Sequence, residues 1–223
     1  MFSFIEPVVL LGGGACSLSM LNSLLQRRYP LVVADGGANH LDLQSPDVQR
    51  IVPDAIIGDL DSLENRSRWE SVTRIVEIEE QDTTDFEKCL YSVEAPRYLA
   101  LGFSGKRLDH TLAALHVAAK YSADKQVLLI GTDDVVLMCR GARQFQLRRG
   151  VRFSIFPLEP VSFVASTGLK YPLNGLRLSP TTMIGTSNEV TQGPVTLETE
   201  PGCDGAYAVI LPLSLLSMIL DER

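Results

Sequence analysis

Residues 53–62 read P-D-A-I-I-G-D-L-D-S, a short apolar run that ends in a glycine and two aspartates. A run at 31–34 ends in Asp35 in the same way, and a run at 74–80 ends in Gln81. Short apolar runs that are bounded by glycine and polar residues are typical of buried strands. The three stretches therefore predict strands of one sheet, each followed by polar side chains.

Short strand-like runs alternate with helical patterns throughout the first two-thirds of the chain. This alternation predicts an α/β fold with a mainly parallel, doubly wound sheet and helices on both of its faces. The expected strands are residues 8–11, 31–34, 55–57, 74–78, 98–101 and 127–130, and the expected helices are residues 17–28, 83–93 and 108–121.

After about residue 140 the helical periodicity fades, and glycine, proline, serine and threonine separate short alternating runs. This texture predicts a smaller antiparallel β domain. Its expected strands include residues 145–147, 153–156 and 206–211. The predicted domains are therefore 1–140 and 141–223.

The composition is that of a folded globular protein, since 45% of the 223 residues are hydrophobic and 21% are charged. The net charge of −7 argues against a broad basic surface for nucleic acid. The amino terminus lacks a basic leader region, and no apolar run approaches the roughly 18 residues of a membrane helix. We therefore expect a cytoplasmic protein that binds neither nucleic acid nor membrane. The four widely spaced cysteines form no C-x-x-C pair and are expected to be buried, reduced thiols.

Carboxylates accumulate where the predicted strands end. In open α/β sheets, ligands bind beyond the carboxyl ends of the strands, so Asp59, Asp61, Asp82 and Asp85 are expected at one edge. Crowded carboxylates repel one another and raise their own pKa values unless a cation lies among them. Magnesium takes one or two carboxylates together with phosphate oxygens of a substrate. The sequence therefore predicts an enzyme that binds Mg2+ and the phosphates of a nucleotide.

A purely structural alternative remains open for some of these acids, because aspartate is favoured at helix N-caps and in turns. Asp82 and Asp85 fit an N-cap with an acidic residue three positions later as well as they fit a metal site. For Asp59 and Asp61 the metal interpretation is favoured, since a turn rarely requires two acids around one leucine. Asp54, which follows a proline, is interpreted as structural.

Residues 102–111 read G-F-S-G-K-R-L-D-H-T and connect a predicted strand to a predicted helix. The planar guanidinium group of Arg107 can hold two phosphate oxygens at once. Asp109 fits a helix cap, and His110 fits either a half-buried helix position or a direct role. Lys88 fits either a surface ion pair or a contact to the same phosphates. This segment therefore adds cations to the predicted phosphate site.

Gly12, Gly13 and Gly14 directly follow the first predicted strand. Glycine allows the backbone to approach a phosphate closely, because no Cβ intervenes. The full G-x-G-x-x-G pattern fails because Ser17 replaces its last glycine. A tight turn and a phosphate loop are both compatible with this stretch.

Together, these motifs resemble those of the thiamine pyrophosphokinase family. In the first domain the similar stretches are A-D-G-G-A-N at 34–39, P-D-A-I-I-G-D-L-D-S at 53–62, Q-D-T-T-D-F-E-K-C-L at 81–90 and K-R-L-D-H at 106–110. In the second domain they are G-L-K-Y-P-L at 168–173 and G-T-S-N-E at 185–189. The motifs lie in order over most of the chain.

The resemblance implies transfer of the diphosphate of Mg-ATP to the hydroxyl group of thiamine, giving thiamine diphosphate and AMP. It implies an α/β catalytic domain for ATP and Mg2+, a β-sandwich domain for thiamine, and a homodimer with thiamine sites at the subunit interface. Three other functions stay open: diphosphate transfer to a hydroxymethylpterin, a non-catalytic regulatory module that binds Mg-ATP, and a metal phosphohydrolase.

The resemblance also implies roles for individual residues. The implied magnesium ligands are Asp59, Asp61 and Asp85, and the expected contacts to ATP are Asp35, Gln81, Lys88, Arg107, Asp109 and His110. The implied contacts to thiamine are Ser187 and Asn188, together with Gln81. The expected catalytic set is Asp59, Asp61, Asp82, Asp85 and Arg107, with Asp82 or Asp85 as a candidate to accept the hydroxyl proton.

Two positions depart from the family's pattern. Lys106 stands in place of the second glycine of a common G-G-R stretch, and Ala114 stands where an asparagine is common. The first change concerns the backbone path of the loop, and the second removes a polar contact. Neither change removes an expected metal ligand.

Thiamine carries a permanent positive charge, which favours an acidic, partly aromatic pocket. Trp69 is expected to lie outside that pocket, because Arg66 and Glu70 place it in a half-exposed amphipathic segment.

Overall fold

The structure is a computed structural model that describes residues 1–42 and 51–221. It divides into two compact units. The first unit comprises Met1–Val117 and Lys125–Thr132, and the second comprises Ala118–Asp124 and Asp133–Arg223.

The strands β1 to β8 are Phe2–Ser3, Val8–Leu11, Leu31–Ala34, Ala55–Gly58, Arg74–Glu77, Val93–Glu94, Tyr98–Leu101 and Val127–Ile130. The helices α1 to α5 are Leu18–Gln26, Asn39–Asp42, Arg66–Glu70, Asp85–Ser92 and Leu108–Tyr121, and a 3-10 turn covers Asp35–Ala38. The strands β9 to β16 are Asp134–Cys139, Arg143–Phe145, Arg152–Pro157, Val161–Thr167, Leu176–Leu178, Gly185–Glu189, Val195–Thr199 and Tyr207–Pro212. A 3-10 turn at Leu213–Leu215 leads into α6, Leu216–Asp221.

A parallel sheet forms the centre of the first unit. Its strands lie in the order β8, β7, β2, β3, β4, β5, and every neighbouring pair is parallel. Each strand from β2 to β4, together with β7 and β8, is buried along its whole length. Strands that are covered on both faces require continuous apolar runs, which is the pattern that predicted them. The predicted mainly parallel α/β fold is confirmed.

Two helices of the first unit begin at side-chain caps. The hydroxyl of Ser17 accepts a hydrogen bond from the Met20 amide at the start of α1, and Thr84 accepts one from the Glu87 amide at the start of α4. Each cap satisfies one of the backbone N–H groups that a helix start leaves open. The cap of α4 fixes where Asp85 enters the helix.

The second unit is built from antiparallel strands. One set pairs in the order β10, β15, β12, β13, and the other in the order β14, β11, β16, β9. Aromatic rings join the two sets, since Phe163 lies 5.4 Å from Tyr207 and Phe145 lies 5.4 Å from Phe153 between ring centroids. Edge-to-face pairs at this distance are typical of packed cores. The predicted antiparallel β-sandwich is confirmed.

Trp69 corrects one expectation, because its side chain is fully buried rather than half exposed. The polar neighbours that suggested exposure lie on the outer side of α3, where Arg66 forms ion pairs with Glu70 at 2.9 Å and with Glu77 at 2.8 Å. A helix of only five residues can bury one large ring while its charged residues stay in solvent.

The cysteines are free thiols, but only Cys89 and Cys139 are buried, whereas Cys16 and Cys203 are partly exposed. Among the described residues, no helix combines the length and the apolar character that crossing a bilayer requires.

Candidate functional site

A cavity of about 490 Å³ lies in the first unit, beyond the carboxyl ends of its strands. Polar side chains from several loops converge on it, together with the glycines that follow β2. The lining residues include Gly12, Gly13, Gly14, Asp35, Asp59, Gln81, Asp85, Lys88, Arg107 and His110. The loops after β2, β3, β4, β5 and β7 therefore meet at one place, as the sequence predicted.

Asp35 is the most deeply placed of the acids, with 3% of its surface exposed. Its Oδ2 accepts a hydrogen bond from the Ser62 amide at 3.1 Å, while its buried Oδ1 has no partner among the described residues. Burial raises the pKa of Asp35 to about 6, and the negative charges of Asp85 and Asp59 add to that effect. An unsatisfied buried carboxylate oxygen is costly, which favours a cation at this position.

Asp59 and Asp61 flank Leu60, whose φ of 65° lies in the left-handed region. Non-glycine residues in that region are strained and concentrate at functional sites. The turn is closed by a hydrogen bond from the Asp61 amide to Asp59 Oδ1 at 3.3 Å. Asp35, Asp59 and Asp61 each offer a carboxylate oxygen, and these three oxygens lie within 4.8 Å of one another. Grouped carboxylate oxygens of this kind are hard donors, which are the ligands that divalent cations such as Ca2+ and Mg2+ take in proteins.

Asp85 lies in the first turn of α4. Its carboxylate lies next to Gly58, the last residue of β4. A Cβ added at Gly58 would lie 2.7 Å from Asp35 Cβ and 3.0 Å from Asp85 Oδ1. Only a glycine therefore allows the two carboxyl groups to lie this close to β4. Burial raises the pKa of Asp85, and the neighbouring Lys88 ammonium opposes that shift.

Lys88 is buried, with 1% of its surface exposed. Its Nζ lies 3.4 Å from Asp85 Oδ1 and 3.8 Å from Asp59 Oδ2. The cost of burying an ammonium group is offset when carboxylates lie next to it. The surface ion pair that the sequence left open for Lys88 is therefore wrong, because the lysine lies between two acids of the cavity.

Gln81 contacts the acidic cluster directly. Its Nε2 donates a hydrogen bond to Asp59 Oδ2 at 2.8 Å, which is the main reason that the pKa of Asp59 is lowered.

The N-cap interpretation of Asp82 is wrong, because Thr84 caps α4. The side chain of Asp82 is exposed, and it lies outside the lining of the cavity.

The glycines after β2 lie against the turn after β7. The Gly14 amide donates to the Gly102 carbonyl at 2.6 Å, and Lys106 Nζ donates to the Gly13 carbonyl at 3.0 Å. Lys106 has a φ of 52°, so this lysine adopts the left-handed backbone that glycine favours. Replacing a glycine with Lys106 therefore leaves the loop in a glycine-like conformation.

Arg107 lies at the rim of the cavity and is exposed. Its guanidinium pairs with Asp109 at 2.5 Å, and both side chains are more than half exposed. The Asp109 carboxylate also accepts a hydrogen bond from the His110 amide at 3.0 Å. His110 and Ala114 line the cavity, whereas Asp109 and Asp61 lie outside its lining. The ion pair with Asp109 leaves the Arg107 guanidinium exposed and therefore accessible to an incoming anion.

Ser187 and Asn188 lie in the second unit, on β14. Asn188 is 5% exposed, and its amide group bonds with the backbone of Tyr171 at 2.7 and 3.0 Å. Ser187 is exposed and has a φ of 60°. Asn188 thus shapes the segment that contains Tyr171, while the Ser187 side chain is open to solvent.

Some features of the site were not predicted from the sequence. Asp35 belongs to the closest carboxylate cluster, although the sequence pointed to it only as an ATP contact. Phe86 and Phe103 form an aromatic wall of the cavity, with ring centroids 4.3 Å apart. Glu80 accepts hydrogen bonds around the turn that contains Gln81, and nothing in its sequence neighbourhood distinguishes it from Glu79.

Two protein-family models match this chain. Residues 21–130 match the model described as thiamin pyrophosphokinase, catalytic domain, and residues 144–203 match the model described as thiamin pyrophosphokinase, vitamin B1 binding domain. Together the two matches cover well over half of the chain.

Individual proteins are similar over most of their length. The protein named thiamine pyrophosphokinase 1 from Oryza sativa subsp. japonica is 30% identical over 222 residues, which cover 83% of this chain and 84% of that relative. Thiamine pyrophosphokinase 2 from Arabidopsis thaliana is 28% identical over 237 residues, covering 89% and 88%. The solved structure of thiamin pyrophosphokinase from Candida albicans has a TM-score of 0.79 at 20% identity, covering 93% of this chain and 89% of that chain. At that identity the structural likeness shows the fold alone.

Proposed function

The chain belongs to the thiamin pyrophosphokinase family, and from this premise we propose that it transfers the diphosphate of ATP to the hydroxyl group of thiamine, giving thiamine diphosphate and AMP. It is a transferase of the kinase type, a thiamine diphosphokinase. The convergence of carboxylates, Lys88 and the glycine loop on one cavity is the observation that carries this reaction. The hydroxymethylpterin and regulatory-module alternatives are not favoured, because the match includes a vitamin B1 binding domain.

A magnesium site is part of the proposal, with Asp59, Asp61 and Asp85 as ligands and Asp35 beside them. The carboxylate oxygens of Asp35, Asp59 and Asp61 lie within 4.8 Å of one another, and Asp35 Oδ1 is buried without a partner among the described residues, which supports a divalent cation beside these acids. When bound, the ion would offset negative charge on the phosphates. Gln81 supports this arrangement because its hydrogen bond keeps the Asp59 carboxylate ionised and aimed at the cluster.

The nucleotide phosphates are proposed to lie between the glycine loop and the positive side chains. Gly12, Gly13 and Gly14 leave room for close approach of the backbone. Lys88 adds a fixed buried charge, and the exposed Arg107 can exchange its Asp109 partner for two phosphate oxygens. His110, which lines the same cavity, is proposed as a further ATP contact.

The reaction itself requires little covalent work from the protein. The thiamine hydroxyl oxygen attacks the β-phosphorus of ATP, the bond to the AMP oxygen breaks, and the hydroxyl proton passes to a base. The two candidates for that base are Asp82 and Asp85; Asp85 lines the cavity but is also a proposed metal ligand, whereas Asp82 is exposed and lies outside the lining. Positioning of the hydroxyl and neutralisation of charge provide the acceleration.

The second unit is proposed to bind thiamine through Ser187 and Asn188, with residues 1–140 as the ATP domain and 141–223 as the thiamine domain. The family model for vitamin B1 binding, which spans 144–203, supports this division. A homodimer with thiamine sites at the subunit interface is proposed as well, as the resemblance to the family implies, and exposed apolar side chains on the second unit are compatible with a partner surface. They include Val164, Tyr171, Met183 and Ile184.

The free thiols support the proposed cytoplasmic location.

An acceptor assay tests the reaction. Protein, ATP and Mg2+ are incubated with thiamine, with a hydroxymethylpterin, or with no acceptor, and AMP, ADP and phosphate are separated by chromatography. We expect AMP and thiamine diphosphate in equal amounts and only with thiamine. Formation of ADP, or of phosphate without any acceptor, would contradict the proposed function.

A further inference from the structure

Glu80 lies at the end of the segment that follows β5, just before the turn that leads into α4. Its Oε2 accepts hydrogen bonds from the backbone amides of Asp82 at 2.8 Å and Thr83 at 3.0 Å. Its Oε1 accepts from the Tyr91 hydroxyl at 3.0 Å and from the Thr83 hydroxyl. One carboxylate therefore satisfies four donors, which is close to its full capacity.

These hydrogen bonds tie together two parts of the first unit. The amides belong to the turn that begins at Gln81, whereas Tyr91 lies near the far end of α4. The carboxylate therefore fixes the turn against the helix that provides Asp85 and Lys88. Hydrogen bonds to an ionised acceptor are stronger than those between neutral groups, so one side chain can define this geometry.

Gln81 is the residue whose position depends on the hydrogen bonds that Glu80 accepts from this turn. It directly follows Glu80, and its Nε2 reaches Asp59 Oδ2 at 2.8 Å. A side-chain amide can aim at a carboxylate over such a turn only if the backbone of the turn is held in place. Resting on the proposed function of this site, we propose that Glu80 is a positioning residue that holds Gln81 on Asp59 and thereby sets the divalent-cation affinity of the acidic cluster.

A role confined to folding predicts a different outcome. If Glu80 only stabilised the start of α4, its removal would lower the free energy of unfolding and leave metal affinity unchanged. A positioning role predicts a larger effect on metal affinity than on stability, because residues that orient metal ligands typically contribute about 10- to 100-fold to affinity. Metal affinity in the absence of substrates therefore separates the two roles.

The experiment compares Glu80→Ala with Glu79→Ala, which removes the same charge and the same length of side chain from the neighbouring exposed position. Binding of Mn2+ to each folded protein without nucleotide is measured by electron paramagnetic resonance, and amide hydrogen exchange is followed across residues 79–85. We expect Glu80→Ala to weaken Mn2+ binding by about 10-fold and to accelerate exchange at Asp82 and Thr83. Glu79→Ala should match the wild type in both measurements.

Glu80→Gln provides the conservative test. Its amide oxygen can accept from the two backbone amides while its NH2 group donates to the two hydroxyls, so all four contacts survive in weaker form. We expect Mn2+ affinity between those of the wild type and Glu80→Ala. If Glu80→Ala does not fold, Tyr91→Phe and Thr83→Val each remove one hydroxyl donor and should weaken Mn2+ binding to a smaller degree.

Equal Mn2+ affinity in Glu80→Ala and Glu79→Ala would overturn the positioning role, as would a loss of stability without a loss of affinity. Neither result depends on thiamine turnover. Failure of the wild-type protein to form AMP would therefore count against the proposed function alone, while the metal and exchange measurements would still decide the role of Glu80.

Discussion

Gly58 determines how closely two acids of the site approach each other. It ends β4, and its missing side chain leaves the space into which Asp35 and Asp85 project. The apolar run before it predicted a strand, but the requirement for glycine became visible only when the loops were assembled. Close contacts between segments distant in sequence leave no local pattern, which is why this role could not be predicted.

Gly58→Ala tests that requirement. The new Cβ would lie 2.7 Å from Asp35 Cβ, so the two loops must move apart. We expect a loss of stability of about 1–3 kcal/mol from overpacking, together with a loss of AMP formation, measured by urea unfolding and by the acceptor assay. Gly13→Ala is the stability control, because its Cβ would meet nothing closer than 3.7 Å. Similar stability of the two variants would contradict the packing argument.

Asp61→Asn separates catalysis from folding. The side chain is exposed, so the change removes negative charge with almost no change in volume or burial. We expect turnover to fall by at least about 10-fold while the thermal midpoint stays within a few degrees, since the residue is proposed to hold the metal. Asp54→Asn is the matched control, because Asp54 accepts the Leu31 amide at 2.8 Å and should affect stability instead. Full activity of Asp61→Asn at saturating Mg2+ would remove Asp61 from the metal site.

At the scale of elements, the buried parallel strands were the easiest to predict. Strands β2, β3, β7 and β8 have the predicted bounds, because burial on both faces demands an unbroken apolar run. Helix α5 also has the predicted bounds, whereas the start of α4 was predicted two residues too early. Two acids and two threonines compete for the cap of α4, and Thr84 is the residue used. Strands β1 and β6 are two residues long and were not predicted, since such short segments have no periodicity.

The cap of α4 has consequences for activity as well as stability. Thr84→Ala removes the acceptor of the Glu87 amide, which lies 3.3 Å away. We expect a loss of about 1 kcal/mol in the free energy of unfolding, and lower turnover because Asp85 and Lys88 lie in the first turn of this helix. Thr84→Ser retains the hydroxyl and should preserve both properties. A Thr84→Ala protein with normal stability in urea would show that the cap is dispensable.

At the scale of the whole molecule, the fading of helical periodicity after about residue 140 predicted two domains, while the burial of individual side chains in short helices could not be predicted. Trp69 illustrates the difference, because its charged neighbours suggested exposure although its ring is buried. Burial depends on which face of a short helix meets the sheet, and five residues give too little periodicity to decide it.

The pH dependence of stability combines two acids with opposite shifts. The pKa of Asp35 is raised to about 6, so the folded chain binds more protons than the unfolded chain, whose aspartates titrate near about 3.9. Its contribution to stability therefore increases as the pH falls from about 6 to about 4. The pKa of Glu80 is lowered to about 2, so its contribution is complete above about 4.3 and declines as the pH falls towards about 2.

We therefore expect the metal-free protein to gain stability from Asp35 between pH 6 and about 4.5. The measurement is urea unfolding in the presence of a chelator across that range. Asp35→Asn should lose this gain, because asparagine does not titrate. An unchanged pH profile in Asp35→Asn would show that another group is responsible.

Lys88 places a positive charge inside the acidic site before any ion arrives. A chain that carries its own internal counterion can assemble without a metal, in contrast to small domains that collapse when zinc is withdrawn. Removal of the proposed magnesium ion would then stop turnover while the chain stays folded. Addition of the ion would then restore activity without refolding of the chain.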